Sequence, residues 1–162
     1  EPQDAGRGLL LMGDGQGGFA PMPGRQSGVV VYGEQRGAAV ADYDADGRTD
    51  LALGQNANAT VLLQNVGARP GLRVRLAGGA DNPQAVGAAV RVKSGTRLGP
   101  MREVQAGGGY WSQNGATLVL ATPEAPSHLW VRWPGGRVVE PAVPAGAKEI
   151  EVQPDGTVRV RK

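Results

Sequence analysis

The order of apolar and polar residues along the chain predicts many short β-strands. In segments such as Leu72–Leu76, apolar and charged residues alternate, which places their side chains on opposite faces of a strand. Glycine and proline interrupt every window that is long enough for a helix, and both residues disfavour helix interiors. The pattern therefore predicts an all-β protein without helices.

The predicted strands form two groups. Strands of the first group are short and separated by glycine-rich turns, whereas those of the second are longer and alternate more regularly. The segment Ala68–Gly71 separates them, so we predict two domains, residues 1–67 and 68–162. Seven strands in the second domain indicate a β-sandwich. The predicted strands are Gly8–Met12, Val29–Tyr32, Ala38–Ala41, Leu51–Gly54 and Thr60–Gln64, then Leu72–Leu76, Ala88–Lys93, Arg102–Ala106, Thr117–Leu120, Leu129–Trp133, Glu149–Val152 and Thr157–Arg161.

The composition limits how such a fold can be stabilised. The 162 residues include 27 glycines and 12 prolines, no cysteine, and only 4% aromatic residues. The core must therefore consist of aliphatic side chains, and no disulfide can contribute to stability. A small β-protein outside the cell that lacks disulfides needs another stabilising element, and a bound metal ion is a suitable one.

Charge and reactive groups argue against several classes of function. The formal net charge is +2, and cationic residues alternate with apolar ones, so we interpret them as solvated strand faces rather than a nucleic-acid surface. No apolar run reaches the ~18 residues of a membrane span. His128 is the only histidine, and no serine lies in a nucleophile-elbow motif. We predict no catalytic residues and no enzymatic activity.

The segment Asp42–Asp50 is predicted to bind calcium. Its carboxylates occupy the first, third, fifth and ninth positions, and Gly47 at the sixth allows a sharp turn. Calcium prefers six to eight oxygen ligands, which a tightly coiled loop of alternate acidic residues can supply. The predicted ligands are Asp42, Asp44, Asp46, the backbone carbonyl of Arg48, and Asp50.

Two alternatives for this loop are a solvated acidic turn and a magnesium site. Without a cation, four crowded carboxylates would repel one another by ~1 kcal/mol or more for each close pair. Magnesium prefers fewer protein ligands and more water. The loop is not an EF-hand, because Leu53 stands where that motif needs a bidentate glutamate and the flanking segments are predicted strands. Calcium is therefore the favoured occupant.

The acidic loop and its flanks resemble an FG-GAP (VCBS-type) propeller repeat. The resemblance rests on the run Ala39–Gly54 and on Gly13–Phe19, which is similar to the Gly-Asp-Gly turn that precedes such a blade. It implies that Thr60–Asn65 is the next strand of the blade and that the loop binds calcium. One complete acidic loop implies about one blade, whose open edges need further blades or another chain to cover them.

The second half resembles an ASPIC/UnbV domain, as found after FG-GAP propellers in cartilage acidic protein-like secreted proteins. The resemblance rests on Asp81–Val90, Gly107–Asn114 and Leu129–Gly136, in this order and spacing, and it extends over about Leu72–Gln153. It implies a transthyretin-like sandwich that packs against the propeller.

Two surface features suggest contacts with other molecules. Asn58 begins an Asn-Ala-Thr glycosylation sequon in the predicted hairpin tip Gln55–Ala59. Tyr110 and Trp111 follow three glycines; they form either a sugar- or partner-binding patch or, as the favoured alternative, a plug over the end of the sandwich.

These observations predict a non-catalytic, calcium-stabilised module for structure or adhesion outside the cell. The apolar Gly8–Met12 strand could pair with the edge of a second copy, which would make the chain a subunit of a self-assembling surface fibre. The alternative is a non-catalytic accessory part of a larger secreted carbohydrate-active enzyme. The expected cofactor is Ca²⁺, and the expected partners are a protein or the chain itself, with glycans as a further option.

Overall fold

The computed structural model describes residues 6–161, and this part of the chain is all-β apart from one helical turn. Its strands are arranged in four separate sheets, none of them closed. The elements are β1 (Leu10–Gly13), β2 (Phe19–Met22), α1 (Gly24–Ser27), β3 (Gln35–Ala41), β4 (Asp50–Gln55), β5 (Asn58–Leu63), β6 (Leu72–Leu76), β7 (Ala89–Ser94), β8 (Arg97–Leu98), β9 (Arg102–Glu103), β10 (Thr117–Leu120), β11 (His128–Arg132), β12 (Val138–Val139), β13 (Glu149–Val152) and β14 (Val158–Arg161).

Two sheets of the second half share one core. The first has the order β10–β6–β13–β14, in which only the β6–β13 pair is parallel, and the second has the order β12–β11–β7–β8, with β9 also paired to β7. Alternate residues such as Val74 of β6, Leu129 of β11 and Ile150 of β13 are completely buried. The core is therefore aliphatic, as the composition predicts, and Trp133 is the one large aromatic residue in it.

The first half contains a three-stranded antiparallel meander, β3–β4–β5. A two-residue turn at Asn56 and Ala57 joins β4 to β5, and Ala57 adopts a left-handed conformation with φ of 50°. The acidic segment Asp42–Asp50 connects β3 to β4. The sequence pattern predicts these three strands to within a few residues. Each is a short run rich in apolar side chains between two polar turns.

The meander is attached to the second half by several backbone and side-chain contacts. The Gly115 amide donates to the carbonyl of Val40 at 2.9 Å, and the Val40 amide donates to Asn114 Oδ1 at 3.0 Å. At the loop, the Gly71 amide donates to the Gly47 carbonyl at 2.8 Å. The acidic loop and the edge of β3 therefore lie against the second half of the chain.

The structure corrects several details predicted from the pattern. Val29–Tyr32 is not a strand. Val31 is buried and its amide bonds the Arg7 carbonyl at 2.9 Å, but no strand within residues 6–161 pairs with the segment. Gly24–Ser27 forms one turn of α-helix, where no helix was expected. The predicted strand Arg102–Ala106 is limited to its first two residues. Among residues 6–161, no helix is long and apolar enough to cross a membrane.

Candidate metal centre

The acidic loop reverses the chain between two paired strands. It begins directly after β3 and ends with Asp50 as the first residue of β4. Two residues in it adopt left-handed conformations, Ala45 with φ of 64° and Gly47 with φ of 84°. Glycine reaches that conformation without steric penalty, which is why it suits the sharpest point of the loop.

Three of the predicted ligands converge. One carboxylate oxygen from each of Asp42, Asp44 and Asp50 lies within 4.8 Å of the other two. Two oxygens bound to the same calcium ion at 2.3–2.6 Å can be at most about 5 Å apart. The spacing of these three carboxylates therefore fits a single ion of that size.

Backbone amides of the loop orient the carboxylate of Asp42. It accepts the Asp46 amide at 3.0 Å through Oδ1 and the Gly47 amide at 2.8 Å through Oδ2. The Asp42 side chain is completely buried. Because a buried charge is unfavourable unless it is paired or hydrogen-bonded, these contacts hold it in one orientation.

Asp50 anchors the other end of the loop. Only 2% of this residue is exposed, and it is the one charged residue among the fully buried residues of the described chain. Its carboxylate accepts the Tyr43 amide at 3.2 Å and the Asn65 amide at 2.8 Å. Asn65 follows β5, so Asp50 links the loop to the end of the meander. Gln64 donates to the more exposed Asp44 at 2.6 Å.

Asp46 lies outside the converging group. Its carboxylate forms an ion pair with the guanidinium of Arg48 and accepts the Arg48 amide at 2.8 Å. The Arg48 side chain also donates to the Ala68 carbonyl at 2.7 Å. The structure thus brings together three of the four predicted carboxylates and pairs the fourth with a cation.

Arg73 of β6 is a contact of the loop that the pattern did not reveal. Its guanidinium pairs with Asp42 of the loop and with Glu149 of β13, the latter at 2.7 Å. Only 13% of its side chain is exposed, so the interpretation of this arginine as part of a solvated face is wrong. Burial would lower the pKa of Arg73, but the hydrogen bonds that its guanidinium donates to Glu149 and Asp42 outweigh burial and raise the pKa above its ordinary value. Arg73 therefore remains charged and connects the loop to the sheet.

Comparison with known families identifies the family to which the second half of the chain is related. The family model described as ASPIC and UnbV matches residues 78–159, which is just over half of the chain. The chain belongs to the ASPIC and UnbV family. The match confirms the resemblance predicted from the sequence motifs. No FG-GAP or VCBS repeat matches the first half, and no curated protein matches the sequence.

The predicted aromatic pair belongs to the matched ASPIC/UnbV region. The rings of Tyr110 and Trp111 are stacked, with centroids 5.4 Å apart and planes inclined by 11°. They are 66% and 84% exposed, which contradicts the alternative in which the pair plugs the end of the sandwich. Their backbone lies over Gly37 of β3.

Asn58, the predicted glycosylation acceptor, is an exposed residue of the meander. It is the first residue of β5, directly after the two-residue turn, rather than part of a longer hairpin tip. Its side-chain oxygen accepts the Ala59 amide at 2.8 Å.

Proposed function

We propose that the chain is a non-catalytic structural or adhesion module that works outside the cell and is stabilised by one calcium ion in the loop Asp42–Asp50. The observation that carries the proposal is the convergence of the Asp42, Asp44 and Asp50 carboxylates within 4.8 Å. Calcium would join the end of β3 to the start of β4, and Asp50 in turn accepts the Asn65 amide of the segment after β5. The ion would thereby hold a disulfide-free chain together.

The charge around the loop supports a cation. The four carboxylates of the loop outnumber the two guanidinium groups that contact them, Arg48 and Arg73. One of these guanidiniums is shared with Glu149, so the loop retains an excess of negative charge. A divalent ion would remove the repulsion among the converging carboxylates.

The finer architecture in this proposal is a propeller-type blade followed by a transthyretin-like sandwich. The meander β3–β4–β5 with an acidic loop between its first two strands supports the blade. The two sheets that share an aliphatic core support the sandwich. As a single blade, the meander would need further blades or another chain to cover its open edges.

Thermal unfolding in calcium and in a chelator tests calcium binding. A ligand present at a hundred times its dissociation constant stabilises a protein by about 2.7 kcal/mol. For a chain of this size, that should raise the melting temperature by about 5–10 °C relative to EDTA. The exposed ligand Asp44 is the best position for a variant, and Asp44→Asn should lose most of the calcium-dependent increase.

Asp155→Asn is the matched control. Asp155 is an exposed carboxylate in the β13–β14 turn, where it accepts the Thr157 amide at 2.9 Å, and it lies outside the acidic loop. This variant should keep the calcium-dependent increase. Identical melting temperatures of the unmodified chain in calcium and in EDTA would rule out the proposed role of calcium.

A second proposal, assembly through strand addition, is supported by the β1–β2 hairpin. This two-stranded sheet is not hydrogen-bonded to another described strand, and its apolar side chains are exposed, including Leu11 at 47%, Met12 at 50% and Phe19 at 70%. A second copy pairing with its edge would satisfy free backbone groups and cover these side chains. Light scattering should then show a mass that rises with protein concentration, and Leu11→Lys should prevent the rise. A monomer at all concentrations would contradict the proposal.

A further inference from the structure

A shallow cleft lies between the ASPIC/UnbV region and the meander, away from the acidic loop. Its volume is about 670 Å³, within the range of roughly 300–1,000 Å³ that is typical of small-molecule sites. One side is formed by the aromatic pair with Ser112 and Gln113, and the other by β3, β4 and the turn that follows. We call it the aromatic cleft.

The floor of the aromatic cleft is flat and made of small residues. Gly37 and Ala39 of β3 face Gly54 and Ala52 of β4 in the antiparallel register. Because residues two apart on a strand share a face, these positions form one surface without protruding side chains. The backbone of the aromatic pair covers this surface at Gly37 and leaves Ala39, Ala52 and Gly54 as the floor. A flat molecule can therefore approach the sheet closely, whereas the floor has no recess for a side chain of a bound peptide.

The aromatic pair is held rigidly beside this floor. A Cβ atom on Gly37 would lie 3.0 Å from the Trp111 carbonyl oxygen and 3.1 Å from that of Tyr110, so the loop rests directly on the strand. Gln113 bonds the Gly107 amide at 2.5 Å and the Gln105 carbonyl at 2.8 Å across the loop. These contacts fix the backbone that carries the two stacked rings, which reduces the entropy lost on binding.

Two features of the loop are typical of functional segments. Trp111 adopts a left-handed conformation with φ of 49°, which is unfavourable for a bulky residue. The Ser112 hydroxyl is buried without a hydrogen-bond partner in the described part of the chain. Such strain and unsatisfied polarity persist only where the surroundings impose them, and they concentrate at binding sites.

The rim of the aromatic cleft supplies ordered polar groups without excess charge. Glu34 pairs with Arg36 at 2.5 Å and accepts the Asn56 side-chain amide at 3.0 Å. The carboxylate therefore orients both residues that line the cleft and neutralises the guanidinium. A nucleic acid would require an excess of positive charge along its path, which this rim does not provide.

We propose that the aromatic cleft binds a neutral polysaccharide. The exposed faces of Trp111 and Tyr110 offer an apolar platform for the C–H face of a pyranose ring, and Arg36 and Asn56 offer planar donors for its hydroxyl groups. A purely apolar partner would leave these polar groups desolvated and unpaired. The inference does not depend on calcium in the loop, because none of the predicted calcium ligands lines the cleft.

The test is a depletion assay in which the full chain is mixed with cellulose, chitin, mannan, xylan or starch. Binding of the full chain to a soluble proline-rich peptide is measured separately. At least one polysaccharide should retain the unmodified chain. Trp111→Ala should weaken that binding about tenfold to a hundredfold, as expected for a central aromatic contact. Since Trp111 is 84% exposed, this variant should remain folded. Gly37→Val, which keeps both rings but displaces their loop, should weaken binding as well.

Tyr32→Ala is the matched control, since Tyr32 is a 75% exposed aromatic residue outside the cleft. Its binding should equal that of the unmodified chain. Failure of all five polysaccharides to retain the chain would overturn the proposal, as would equal retention of Trp111→Ala. Binding of the proline-rich peptide alone would assign the cleft to a protein partner instead.

Discussion

Arg73 connects the acidic loop to the sheet of the second half, and its replacement by methionine removes that connection. In the structure its guanidinium pairs with Asp42, whose side chain is completely buried, and with Glu149 at 2.7 Å. Methionine preserves much of the apolar stem of arginine but carries no charge. The variant Arg73→Met would therefore leave two carboxylates without their shared cation.

The expected destabilisation follows from burial. Breaking a buried ion pair by removing one partner lowers the free energy of unfolding by about 3–5 kcal/mol. Glu149 is 23% exposed and can be solvated in part, so we expect the lower value, about 3 kcal/mol. For a chain of this size that corresponds to a fall in the melting temperature of about 6–12 °C.

Calcium should change the size of this loss. In EDTA, Arg73 is the main cation beside Asp42, so the variant should lose the full amount. A calcium ion bound by Asp42 would neutralise the same carboxylate and reduce the loss. By linkage, the variant should also bind calcium more tightly, because a positive charge next to the site has been removed. Calorimetric unfolding in calcium and in EDTA, with a calcium titration, measures both effects.

Arg75→Met is the matched control for this experiment. Arg75 lies on the same face of β6 but is 49% exposed, and its contact with Glu151 is 3.8 Å long. Exposed ion pairs of this kind contribute less than about 1 kcal/mol. If Arg73→Met were no more destabilising than Arg75→Met, Arg73 would not connect loop and sheet in the way described. An equal loss in calcium and in EDTA would show that calcium and Arg73 do not share Asp42.

Three further predictions concern the loop, the core and the first hairpin. Gly47→Ala should lower the free energy of unfolding by about 1–2 kcal/mol in urea denaturation. The reason is that φ of Gly47 is 84° and an added Cβ atom would lie 3.1 Å from the Cβ atom of Pro70. An unchanged urea midpoint would contradict this prediction. Ile150→Ala removes a completely buried side chain and should cost about 2–5 kcal/mol in the same assay, with a loss below 1 kcal/mol arguing against a packed core. The pKa of Asp14 should lie below its ordinary value in an NMR titration, chiefly because the Gln16 amide bonds the carboxylate. Since the folded-state pKa is lowered, the turn contact should be present above the unfolded pKa and be lost as pH falls through the folded one.

The strands of the second half were predictable because one face of each is buried. The pattern predicts the bounds of β6, β10 and β13 as the structure has them. β6 and β13 are central in their sheet and alternate apolar with polar residues, so the sequence predicts which of their faces is buried. β10 lies at the edge of the same sheet and was predicted from its short apolar run. Three short strands were missed: β8 and β12 have two residues each, and β2 contains a proline. Such segments carry little periodicity, and their pairing depends on neighbours distant in the chain.

In Val29–Tyr32 the pattern predicts a strand where the structure has none. Its apolar run fits a strand, yet none of the described strands pairs with it, and Val31 is buried with its amide bonded to Arg7. An apolar run indicates that a segment can be buried, but pairing with another strand requires a free edge at the right place. The sequence alone does not contain that information.

The spacing of acidic residues in Asp42–Asp50 was sufficient to predict that carboxylates converge in this loop, because local geometry follows from alternate residues and a glycine. The family of the second half was likewise predictable from its motifs. Only the tertiary structure decided that Asp46 pairs with Arg48, that Arg73 joins the loop to β6, and that the aromatic pair lies over Gly37. Arg73 and Asp42, like the aromatic pair and Gly37, are far apart in the chain, so these contacts depend on how separate sheets pack against one another. Asp46 and Arg48 are only two residues apart, but the spacing of charges did not reveal that they pair with each other. Local sequence therefore determined the chemistry of the loop, whereas packing determined which charges and rings stand beside it.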